Sequence, residues 1–160
     1  MSNLQKQCNT FNLLQPFKRF GKSDIDFFNG LTMINTIDFI KSNIDKPEII
    51  EEALQRLEYC FKNVTLQHYF NGIEAIFNHL FSDHYVMFLW YLSNSVYRAK
   101  GKCDLANKIY YLNKTLHGLD CMYDTKMPDI FLLFHSSGTM LGKASYADYF
   151  VALQGCTVGS

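Results

Sequence analysis

The chain has 160 residues, 15 Lys and Arg against 15 Asp and Glu, and a composition that is 48% hydrophobic, 16% aromatic and 19% charged. Such an aromatic-rich, charge-poor chain can bury enough apolar surface to offset its ordering entropy, which excludes a disordered segment, and its size allows one ordinary domain or one domain plus a piece of another. A net charge of zero gives no electrostatic footprint for nucleic acid or an anionic membrane.

The N-terminal Met1-Ser2-Asn3-Leu4-Gln5-Lys6-Gln7 is polar and leads into no apolar h-region. The longest strongly apolar run, 85–92, falls far below the about 20 residues that span a bilayer. A soluble cytoplasmic protein without a membrane span is expected. Five scattered cysteines (Cys8, Cys60, Cys103, Cys121, Cys156) form no CxxC pair, as suits reduced thiols rather than a disulfide or zinc framework.

In chain order, Pro16 and Gly21 interrupt residues 11–20, which predicts a short helix or an extended arm there. Ser23 is an N-cap candidate for a helix carrying Ile25, Phe28, Leu31, Ile34 and Ile37 at helical spacing. Asp45-Lys46-Pro47-Glu48 signals a second start, with Ile49, Ile50, Ala53, Leu54, Leu57 and Cys60 as its stripe. A third helix is predicted over 72–81. Ser82-Asp83 opens a fourth, with Val86, Leu89, Trp90, Ser93 and Val96, which Gly101 stops. Asp104 opens a fifth, with Leu105, Ile109 and Leu112 on one side and Gly118 past its end. The aromatic series Phe77, Phe81, Tyr85 and Phe88 reads as core or subunit interface.

The character then changes. Five of the nine glycines (Gly118, Gly138, Gly142, Gly155, Gly159) fall in the last 43 residues, and short apolar pairs end in Gly there. Short strands joined by tight turns follow from this composition. The predicted class is α+β, with a helical domain over 1–116 and a β segment over 117–160.

Four short stretches in order then carry a resemblance. Gly118-Leu119-Asp120, His135-Ser136-Ser137-Gly138, Leu141-Gly142 and Leu153-Gln154-Gly155-Cys156-Thr157-Val158-Gly159 resemble the start of the catalytic domain of serine O-acetyltransferases, with its "VD", "HxTG", "IG" and "LQGVTLG" pieces. The fifteen residues from Asp120 to His135 agree with that pattern. Upstream, Tyr97-Arg98-Ala99-Lys100-Gly101-Lys102 is similar to the stretch leading into the catalytic domain, whereas 1–80 match nothing. The resemblance implies a left-handed parallel β-helix of hexapeptide repeats behind a helical domain. It also implies transfer of acetyl from acetyl-CoA to a hydroxyl, a homo-oligomer (trimer or dimer of trimers), and a place in cysteine or surface-polysaccharide biosynthesis.

Acyl transfer to a hydroxyl needs a base for the hydroxyl proton, and the motif assigns it to His135. Asp120 is the expected carboxylate on the other ring nitrogen, provided one turn of β-helix brings it beneath His135. Phe134, Ser136, Ser137 and Gly138 are the expected acceptor-side residues, the three small ones leaving room for backbone donors to the oxyanion. No metal is needed. His79 and His84 lack the i, i+4 spacing of a helical metal pair, His68 is isolated, and His117 reads as a helix C-terminal residue.

Two departures qualify the match. Phe134 stands where the family has an Asp that helps hold serine, and an apolar ring cannot satisfy an ammonium group, so the acceptor stays open between L-serine and a sugar hydroxyl. Gly142 to Gly159 is 17 residues, one short of an eighteen-residue turn of three hexapeptides, which places an irregularity near 145–150. The chain reaches Ser160 as the repeats become established, so the resemblance implies an incomplete β-helix, with the acetyl-CoA-binding residues expected beyond Ser160. The other expected class is a non-catalytic helical oligomerisation or interaction module.

Overall fold

The computed structural model describes Ile44 and residues 46–159. The helix expected after Ser23 and the element over 11–20 lie outside the described residues. The described chain is mixed α and β, three helices followed by five short strands.

Helix α1 (Pro47–Lys62) has Pro47 in its first turn and buries Ile49, Ala53, Leu54, Leu57 and Cys60, most of the expected stripe. Helix α2 (Ser82–Lys100) buries every side chain from Asp83 to Val96 and ends at Gly101, φ 72°. Its 19 residues are the central post of the core, with α1 and α3 packed against it. Helix α3 (Asp104–His117) buries Leu105, Ile109 and Leu112 and is closed by Gly118 in the left-handed region.

The helix expected over 72–81 is absent. Phe70 and Ala75 form an antiparallel bridge instead, and the Asn71 carboxamide oxygen accepts the amides of Ile73 and Glu74 across Gly72. The Asn78 side chain accepts the Leu80 amide. These local bonds satisfy amides that a helix would otherwise pair, which is how asparagine competes with helix formation. Ile73 is accordingly exposed.

The strands are β1 (Asp120–Cys121), β2 (Phe131–Leu133), β3 (Met140–Leu141), β4 (Phe150–Ala152) and β5 (Thr157–Val158). All pairing is parallel, in the orders β1-β3-β5 and β2-β4. Asp120 pairs with Met140, Met140 with Thr157, and Phe131 with Phe150, so the chain returns to the same face after 20, 17 and 19 residues. A glycine with positive φ stands two residues before each strand of the first sheet: Gly118, Gly138 and Gly155. They stack, for the Gly138 amide donates to the Gly118 carbonyl and the Gly155 amide to the Ser137 carbonyl. In the interval expected to be irregular, Tyr149 takes φ 65° just before β4.

One hydrophobic cluster runs from the helices into the strands. Trp90 and Tyr91 of α2 hold the Phe131 ring at 5.2 and 5.4 Å between centroids. The Cys60 thiol donates to the Phe131 carbonyl at 3.2 Å, and the Asn94 amide to the Tyr123 carbonyl at 2.6 Å.

Candidate functional site around His135

Strand β2 ends at Leu133, and the Phe134 amide still donates to the Ala152 carbonyl of the next layer. The chain then turns at His135, whose φ is 49°. A left-handed conformation at a residue with a Cβ costs about 1 kcal/mol or more and persists only when its surroundings hold it. The holding group is Asp83, in the first turn of α2: its Oδ1 accepts the His135 amide at 2.9 Å. Its Oδ2 lies 3.7 Å from the His135 Nδ1. The Asp83 side chain is 3% exposed and the His135 ring 73% exposed. A buried carboxylate thus anchors the backbone beneath an open imidazole, and the positive end of α2 stabilises that charge.

The expected partner, Asp120, lies in other contacts. Asp120 turns to α3, where its carboxylate accepts the Lys114 ammonium at 2.6 Å and the Tyr110 hydroxyl. The hydrogen bond from Lys114, then that from Tyr110, holds its carboxyl below the usual carboxylate range. The carboxylate facing His135 comes instead from 52 residues upstream. Sequence reasoning read Ser82-Asp83 only as a helix start. An acid in a first turn is ordinary, and nothing local tells that this one is buried against a distant turn.

The small residues after His135 are engaged in the turn itself. Ser136 is buried and its hydroxyl donates to the His117 carbonyl at 3.3 Å. The Ser137 amide donates to the His135 carbonyl at 2.6 Å and the Gly138 amide to the Gly118 carbonyl at 3.1 Å. These two amides therefore have acceptors within the chain. Phe134 meets the Tyr69 ring edge-on at 6.0 Å. It also lines an apolar groove of about 340 Å³ with Val64, Leu66, Leu132, Tyr149 and Val151.

Two further imidazoles lie nearby, His84 buried and His117 half-buried. His84 Nδ1 accepts the Asn78 amide, and burial, with the His68 charge adding to it, lowers its pKa to about 4. His117 Nδ1 lies 3.0 Å from the Ser82 hydroxyl, and burial lowers its pKa to about 4. Among the described residues no group of three or more His, Cys, Asp or Glu is placed to hold a metal ion, and no helix is long and apolar enough to cross a membrane. Comparison with protein-family models, with curated proteins and with solved structures finds no match.

Proposed function

We propose that the chain belongs to an acetyl-CoA-dependent O-acetyltransferase of the serine acetyltransferase type, with His135 as general base and the hydroxyl of L-serine or a sugar as acceptor. One observation carries the reading. An exposed imidazole stands on a strained backbone position whose amide is fixed by a buried carboxylate, and strain held in this way is characteristic of functional positions. The parallel strands, each of the first sheet preceded at the same offset by a stacked glycine, support coils of a left-handed β-helix beneath it. Exposed Met140, Val151 and Leu153 on and beside the strands support the homo-oligomer that the resemblance implies.

In this reading the acceptor hydroxyl gives its proton to His135 as its oxygen attacks the thioester carbonyl. The carbon–sulfur bond then breaks, and the leaving thiolate takes that proton from the imidazolium. The products are an acetyl ester and a thiol, with no redox change. Phe134 against Tyr69 offers the acceptor no charge, which favours a sugar hydroxyl over a zwitterionic amino acid.

Thiol release from acetyl-CoA, followed with the natural full-length protein and serine or sugar acceptors, tests the reading. Turnover is expected, and His135→Ala should lower it by about 10²-fold or more. Absence of acetyl-CoA binding by calorimetry, together with absence of thiol release, would leave the helical interaction module as the better account.

A further inference from the structure

We infer that Asp83 is the positioning residue for His135, holding its ring with the proton on Nδ1 so that Nε2 faces outward as the base; the inference rests on the reading of His135 as that base. A ring that is 73% exposed has little packing to fix its rotation, so a polar partner is what can orient it. Among the described residues Asp83 is the carboxylate that lies within 4 Å of a ring nitrogen, at 3.7 Å from Nδ1, a separation of the kind that shortens when a substrate closes over an empty site. Asp120, the acid that spacing suggests, is held by Lys114 and Tyr110.

The geometry explains why one acid serves twice. Oδ1 of Asp83 takes the His135 amide at 2.9 Å and so sets where the turn lies. Oδ2 then faces Nδ1 and sets which way the ring turns. A carboxylate can only accept, so it favours the proton on the nitrogen that faces it and leaves Nε2 with its lone pair free. Because Asp83 is itself 3% exposed, it is pinned by packing and carries its orientation to the ring.

Asp83→Asn separates the two tasks. The asparagine oxygen can still accept the His135 amide, keeping the turn, while its NH2 group faces Nδ1 and favours the opposite tautomer. Nitrogen-15 shifts of the His135 ring, recorded on the full chain at a pH where the ring is neutral, read the outcome directly. Nδ1–H is expected in the wild type, a shift towards Nε2–H in Asp83→Asn, and no change from wild type in Asp120→Asn. With acetyl-CoA and acceptor, Asp83→Asn should lower kcat by about 10²-fold with KM changed little, the pattern of lost base orientation.

A wild-type ring protonated on Nε2 overturns the inference, and this holds even if the variant fails to fold. So does a tautomer that responds to Asp120→Asn and not to Asp83→Asn. A ring that behaves as expected in a chain without turnover supports the positioning role while removing the acetyltransferase reading.

Discussion

At the scale of the residue, His84 and His117 make the protein sensitive to acid. Both are held neutral by burial, with pKa values of about 4 against about 6.5 for an ordinary histidine. As pH falls below 6.5, the unfolded chain takes up protons that the folded chain refuses until near pH 4, so stability is full above that window and is lost through it. Each imidazole removes up to about 2 kcal/mol by pH 5. Urea midpoints at pH 7 and pH 5 check this; equal midpoints would show that neither ring stays neutral when folded. The unpartnered, buried Nε2 atoms of both rings give the refusal its physical cause. His117 was legible in the sequence as a helix C-terminal residue, but its burial was not, because burial comes from α2 packing across it, with Tyr85 meeting its ring at 5.5 Å.

At the scale of the element, starts and stops were legible because local chemistry sets them: Pro47, Ser82 and Asp104 open helices where the sequence places them, and Gly101 and Gly118 close two of them. The segment over 72–81 was misread for an equally local reason. Its apolar spacing suits a helix, yet Asn71 and Asn78 satisfy neighbouring amides first. Gly118 shows how tightly helix and strands are joined. Its φ is 67°, and an added Cβ would lie 3.1 Å from the Gly138 nitrogen and 3.2 Å from the Ser137 Cα. Gly118→Ala should therefore cost about 1–3 kcal/mol, from left-handed strain plus a backbone that has to yield. Thermal unfolding measures it, and a change below a few tenths would mean that the glycine stack shifts freely.

At the scale of the whole molecule, helices and strands share their core through the Phe131 ring, which packs against Trp90 and Tyr91. The division of composition near Gly118 was plain in the sequence, whereas the sharing was not, since contacts such as Cys60 to Phe131 span 71 residues. Phe131→Ala should cost about 3–5 kcal/mol. Trp90 is the chain's one tryptophan, so its fluorescence reports on this junction. Fluorescence and far-ultraviolet dichroism should lose signal at one denaturant concentration; two separate transitions would mean that strands and helices unfold independently.

The tie between Asp83 and His135 has a consequence for the order in which the molecule is built. Strand pairs close loops of 17 to 20 residues, whereas this tie closes one of 52, and longer loops close at greater entropic cost. The strand pairs close the cheaper loops, and the imidazole has its carboxylate only where α2 is docked against them. The ring is thus a marker of native assembly, and a chain with its helices detached would carry the same histidine without its orientation.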